Sequence, residues 1–151
     1  MDRKMAPKSV IKRLDNLLHK RCKAAALTTK NIGETTEKAA LVFLLEQGLK
    51  LLETNYYSRY GEIDIVMADD KVIVFIEVRY RKSNAYGGGA TSITRNKQQK
   101  LIKTANHYLQ HHKANVECRF DVIDMSPAEL SATKKNQPFH FNWIKNAFIS
   151  V

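Results

Sequence analysis

Only two cysteines occur in the 151 residues, Cys22 and Cys118. They stand far apart and outside any Cys-x-x-Cys spacing, so neither a disulfide framework nor a zinc site is indicated, and an intracellular, cytoplasmic protein is expected. No stretch approaches the ~18 to 20 apolar residues that span a bilayer. The opening Met1-Asp2-Arg3-Lys4 leads into lysines and arginines without a continuous apolar core, which argues against a secretory signal. Acidic residues are the other shortage: 15 Asp and Glu face 25 Lys and Arg, a net charge of +10. With 44% hydrophobic residues the chain is a folded basic protein and not a disordered tail. Such an excess ranks polyanions as partners, nucleic acid first and an acidic membrane surface second, without establishing either. The length suits one domain with a proper core and no staples, and no internal repeat is visible. The expected division is a basic helical extension over residues 1–30 and a single folded domain over 31–151.

Residues from Ser9 to about Ala26 read as an amphipathic helix, with Val10, Ile11, Leu14, Leu17 and Leu18 at helical spacing among Lys12, Arg13, Lys20, Arg21 and Lys23. It can touch nucleic acid or another chain, or dock on the domain with its basic face in water. Asn31-Ile32-Gly33 breaks the pattern. Thr35 or Thr36 then caps a helix to about Gln47, with Ala39, Ala40, Phe43, Leu44 and Gln47 as its core side and Gly48 as its end. Leu49 to Tyr57 supplies a first strand. Thr94 caps a later helix whose stripe is Leu101, Ile102, Ala105, Tyr108 and Leu109, while Arg95, Lys97, Lys100, Lys103, His107 and His111 occupy the other face. Those basic side chains can follow a phosphate backbone or simply be solvated. His107 and His111 stand four apart, as in a two-histidine metal site, but without an accompanying acid. Val116 to Met125 is a further strand. Phe139 to Ile144 alternates like one, its aromatics suited to core packing more than to base stacking.

Chemistry points to Glu62, Asp64 and Glu77. They lie in Tyr60-Gly61-Glu62-Ile63-Asp64-Ile65-Val66 and Val72-Ile73-Val74-Phe75-Ile76-Glu77-Val78-Arg79, two β-branched runs flanking the turn-forming Asp69-Asp70. With those aspartates as the loop, Ala68 faces Lys71, Asp64 faces Phe75 and Glu62 faces Glu77, and Asp64 becomes the diagonal neighbour of Glu77. An odd loop would send Asp64 and Glu77 to opposite faces. Carboxylates gathered in apolar strands are costly unless paired or bound to metal, so a cation is expected there. The plainer alternative is acids at strand ends pointing into water. Arg79 shares the face of Glu77 by alternation, an unusual buried Glu-x-Arg pair. The second strand, apolar on both faces, should be central. After it, Arg81 and Lys82 open a basic loop ending at Gly87-Gly88-Gly89, either a mobile cover for bound nucleic acid or a plain linker.

Gly61-Glu62-Ile63-Asp64, Val74 to Arg81, Lys97 to Leu109, Arg119-Phe120-Asp121-Val122 and Asn146-Ala147-Phe148, taken in order, resemble the YraN-like family of bacterial proteins. The likeness covers about Asn31 to Phe148. That family is similar to the PD-(D/E)XK, or restriction-endonuclease-like, nuclease superfamily, especially archaeal Holliday-junction resolvases. The resemblance implies an α/β fold with an αβββαβ core and a mixed central sheet flanked by helices, the order of elements that periodicity gives independently. It also implies a metal-dependent endonuclease acting on DNA, branched or structured DNA by analogy, and a homodimer. By resemblance, Asp64 and Glu77 are the acids for Mg²⁺ or Mn²⁺ and Glu37 is an additional acid on the first core helix. Arg79 stands where the superfamily usually has Lys, and Lys97 matches a basic position in the following helix. Arg81, Lys82, Arg95, Lys97, Lys100 and Lys103 are the expected nucleic-acid contacts.

These residues fit phosphodiester hydrolysis. The diester's negative charge repels hydroxide, so a cation is needed to polarise the phosphoryl oxygen and acidify the attacking water. Oxygen ligands suit Mg²⁺ or Mn²⁺, and Arg79 can stabilise charge in the transition state. Arginine cannot give up a proton at any accessible pH. Proton acceptance therefore falls to the metal's water, to Lys97 or to the substrate, unless the site is weak or inactive. Beside a nuclease stand two further readings, a nucleic-acid-binding module on a nuclease scaffold and a structural protein docking through its basic amino-terminal helix.

Overall fold

A computed structural model describes residues 29–82, 93–128 and 138–149. The expected amino-terminal helix, the three-glycine loop and the polar connection at 131–137 lie outside these residues. The described elements are α1 (Thr29–Glu46), β1 (Lys50–Ser58), β2 (Gly61–Asp69), β3 (Val72–Tyr80), α2 (Arg95–His111), β4 (Cys118–Pro127) and β5 (Phe139–Phe148). The strands form one five-stranded sheet in the order β1-β2-β3-β4-β5. All neighbours are antiparallel except β3 and β4, which run parallel on either side of the α2 crossover. This is the expected α/β architecture, the αβββαβ order followed by one further strand, and β3 is central as its two apolar faces require.

Each helix buries one face of the sheet. Ala39, Ala40, Val42, Leu44 and Leu45 of α1 pack with Ile65, Met67, Val74, Ile76, Ile123 and Met125. On the other face Leu101, Ala105 and Tyr108 of α2 pack with Tyr56, Ile63, Val66, Phe75, Phe120 and Val122. Phe139, Phe141 and Trp143 of β5 close over the α1 cluster, with Phe141 stacked on Phe43 at 4.7 Å. The carboxy-terminal aromatics are thus core material.

Three local expectations change. First, α1 runs straight through Asn31-Ile32-Gly33. One helical glycine costs only about 1 kcal/mol against alanine, too little to end a helix whose next turns are buried. Thr36 is no cap, since its hydroxyl donates back to the carbonyls of Ile32 and Gly33. Second, Gln47 is exposed, and Val42 and Leu45 are buried beside the expected Ala39, Ala40 and Leu44. The helix ends at Gly48, whose φ of +93° lets its own N–H reach Leu45 O and that of Leu49 reach Leu44 O. Third, the hairpin turn is Asp70-Lys71, because Asp69 pairs with Val72 and Asp70 takes φ +55°. The pairing is displaced by two residues from the Asp69-Asp70 loop, so the faces are unchanged but the partners are not. As expected, the side chain of Thr94 caps α2 by accepting from the Lys97 N–H.

Candidate active site

β2 and β3 are zipped only from Asp69↔Val72 to Ile65↔Ile76. The next residues outward are Asp64 and Glu77, so Glu62 is not the partner of Glu77 that an Asp69-Asp70 loop would have made it. At this point β2 also rotates. Ile65 packs under α1 but Ile63, two residues earlier, packs under α2, whereas regular alternation would keep them on one face. Opposite, between Thr54↔Ile65 and Tyr56↔Ile63, Asn55 adopts φ +53°, a left-handed conformation that asparagine tolerates better than most residues.

The rotation frees the Asp64 carboxylate to do what the backbone no longer does. The Val78 N–H donates to Asp64 Oδ2 at 2.7 Å. Strand N–H groups point along the plane of the sheet, so this carboxylate lies in the opening between β2 and β3 and not squarely on either face. From there it interacts with Glu37 of α1 on one side and with Glu77 on the other. The two acids therefore meet across a fork, not as diagonal neighbours on a flat ladder.

Electrostatic strain marks the fork. Burial first, and the charge of Glu77 second, push the Asp64 carboxyl up to about 7, with the Val78 hydrogen bond and Lys97 pulling the other way. Burial also raises Glu77, while Lys97 and then Arg79 draw it down and Glu62 raises it. Lys97 Nζ lies 3.1 Å from Glu77 Oε1, and the Glu77 side chain is only 13% exposed. Its second oxygen, Oε2, is buried and has no hydrogen-bond partner among the described residues. Glu37 is raised by burial and by Asp64, and is held down by a hydrogen bond to Asn55.

The structure thus brings Asp64, Glu77, Arg79, Lys97 and Glu37 to one end of the sheet. The remaining basic candidates are spread more widely. Lys82, Arg95, Lys100 and Lys103 are exposed, and Arg81 pairs with Asp124 at 3.5 Å. His107 accepts or donates a 2.6 Å hydrogen bond with the Tyr56 hydroxyl. Sequence reasoning missed Asn55, whose one signal was an asparagine inside a strand-forming run. Among the described residues no group of three or more His, Cys, Asp or Glu side chains is arranged to hold a metal ion, so a cation here would rest on two carboxylates.

Residues 36–125 match the uncharacterised protein family UPF0102. The chain belongs to this family. A UPF0102 protein of Nitrosomonas europaea is 46% identical over 78% of this chain and 93% of its own length. One from Psychromonas ingrahamii is 47% identical over 77% of this chain and 88% of its own. The Escherichia coli relative called UPF0102 protein YraN is 42% identical over 81% and 87%. The YraN-like resemblance read from separated motifs is borne out, and with it the family's place among PD-(D/E)XK-like proteins. In this UPF0102 chain the matched region, 36–125, contains the fork residues together with α2 and all but the last two residues of β4. No helix among the described residues is long and apolar enough to cross a membrane.

Proposed function

We propose that the fork is the active site of a metal-dependent nuclease that hydrolyses phosphodiester bonds of DNA, branched or structured DNA by analogy with the resolvases. The observation that carries this reading is the pair of desolvated carboxylates, Asp64 and Glu77, with Glu77 Oε2 buried and unsatisfied. A buried acceptor without a donor costs about 1 to 3 kcal/mol, and a divalent cation relieves that cost together with the repulsion between the acids. The donor set is oxygen only and fits Mg²⁺ or Mn²⁺, which keep several waters and take one or two carboxylates plus substrate phosphate. Asp64 and Glu77 would hold the ion, which supplies Lewis acidity towards the phosphoryl oxygen and a more acidic water.

The chain's own residues divide the remaining work. Lys97 orients Glu77 through the 3.1 Å contact and favours its ionised form against the opposing effect of burial. Arg79 stands next along the strand face and stabilises negative charge as the phosphorus centre gains its fifth oxygen. Val78, through its N–H, fixes one Asp64 oxygen and leaves the other for the ion. Glu37 reaches the same fork from α1. The excess of basic residues serves attraction of a polyanion, and the cytoplasm is the compartment where such a substrate is met.

The test is incubation of purified protein with branched and linear DNA in Mg²⁺ or Mn²⁺. Nicking that disappears in EDTA, and in Asp64→Ala or Glu77→Ala protein of unchanged circular dichroism, supports the reading. Salt-sensitive binding without cleavage, unaffected by those substitutions, would favour the second reading, a binding module on a nuclease scaffold. Arg79 in the usual lysine position is the observation behind that alternative. A homodimer is the assembly proposed by analogy, checked by sedimentation.

A further inference from the structure

Beside the acids lies a cavity of about 320 Å³ whose walls include Tyr57, Gly61, Glu62, Lys97 and Lys100. Gly61 in this lining has φ +148°, a backbone conformation that favours glycine. Lys97 belongs to both places, since it lines this cavity and contacts Glu77. On the rim, Tyr57 is paired across the strands with Glu62. It is 66% exposed, the most exposed of the large aromatic side chains described. Its hydroxyl is hydrogen-bonded to the Glu62 side chain, whose charge raises its pKa, and the ring lines the same cavity as Lys97. Its neighbour Tyr56 shows the contrast, being buried against Tyr108 in an edge-to-face contact.

An exposed ring, a cleft and two lysines at an acid site form a recognisable chemical set. Aromatic faces receive unstacked bases, because every base has a π-face, while lysines take the flanking phosphates. A continuous duplex cannot offer a base to such a ring without extruding it, at a cost of a few kcal/mol. We propose that Tyr57 is a stacking platform for one unpaired nucleotide, with Lys97 and Lys100 on its adjoining phosphates, so that the site selects strands with unpaired bases over continuous duplex. The inference rests on the nuclease reading for the identity of the polyanion, and it names the substrate class that reading leaves open.

The test separates the two. Affinities of full-length protein are measured in Ca²⁺ for a fluorescein-labelled single-stranded oligonucleotide, its RNA counterpart and the matching duplex. A 2-aminopurine reporter is placed at successive positions along the single strand. Expected results are tighter binding of single strands, quenching of 2-aminopurine at one position, and a loss of about 5- to 100-fold in single-strand affinity for Tyr57→Ala. Tyr57→Trp should retain affinity and quenching, and duplex binding should hardly change. Equal losses for single strand and duplex, or no loss, overturn the inference. So does a change of sedimentation in Tyr57→Ala with affinity intact, which would make the ring part of a contact between copies. Cleavage of DNA with no effect of Tyr57→Ala leaves the nuclease standing and removes the platform. Tyr57-dependent binding without any cleavage does the reverse.

Discussion

Two buried carboxylate sites occupy the same sheet, and they are built in opposite ways. Asp121 of β4, its side chain fully buried, accepts from Arg119 Nε at 3.1 and 3.2 Å, from Trp143 Nε1 at 3.0 Å and from the Asn146 N–H at 3.0 Å. Arg119 in turn reaches Asp69 at 2.9 Å, tying the hairpin turn to β4. Asp64 and Glu77, by contrast, have one backbone donor and one lysine between the bonds described, and one Glu77 oxygen has none. A saturated carboxylate is finished as a piece of structure, and a cation would only displace good donors. An unsaturated pair keeps coordination capacity that folding has not used. Asp124 Oδ1 of β4 also lacks a hydrogen-bond partner among the described residues but lies 3.5 Å from Arg81 Nε, so it is a missing donor beside a second buried carboxylate that sets the fork apart.

The contrast breaks most visibly in activity. Asp64→Ala or Glu77→Ala should lower DNA cleavage by about 10³-fold or more, measured on supercoiled plasmid, with little change in urea midpoint. Asp121→Ala should do the opposite, costing about 3 kcal/mol or more because it strands Arg119, while the residual folded fraction still cleaves. If urea unfolding showed Glu77→Ala to be the more damaging of the two to stability, the distinction would fail. Lys97→Met should come next, with cleavage down by about 10²-fold and the acid limb of its pH profile displaced upward as Glu77 loses the cation that lowers it. Lys97→Arg should restore the position of that limb but not the full rate.

The smallest effect sharpens the comparison in the metal-free protein. The folded Asp64 titrates near 7 against an ordinary 3.8, so the folded state holds the proton more tightly than the unfolded chain. Its share of stability is fully present below about pH 4 and is lost as pH rises through about 7. Asp64→Asn cannot ionise and escapes this loss. It should be more stable than wild type at pH 8 in EDTA, with the difference vanishing at low pH. Melting temperatures that run parallel from pH 4 to pH 8 would contradict the strain assigned to the fork.

Much of this was legible in the chain. The α2 stripe of Leu101, Ala105 and Tyr108 needs only helical periodicity, and the Thr94 cap only a hydroxyl before it. The centrality of β3 follows from apolar residues on both its faces. Five separated motifs in order, those around Asp64 and Glu77 among them, suggested the family. Other features were not. Asp69-Asp70 and Asp70-Lys71 turns leave every side chain on the same face, so hydrophobic pattern cannot separate them; pairing of Asp69 with Val72 decided it. Gly33 looked like a break because its cost is local, whereas the burial of Thr35, Thr36, Ala39 and Ala40 that overrides it is tertiary.

What the sequence determined by itself was periodic or local: which runs become strands or helices, which faces turn inward, and that Asp64 and Glu77 border one hairpin. Alternation and capping are properties of neighbours along the chain, so they survive without coordinates. Only the tertiary structure decided that β2 turns over at Asp64, that its carboxylate replaces a ladder bond to Val78, and that Lys97 arrives from α2 to meet Glu77. These depend on where strands stop pairing and on contacts between residues distant in sequence, set by the competition of whole faces for burial and not by any local preference.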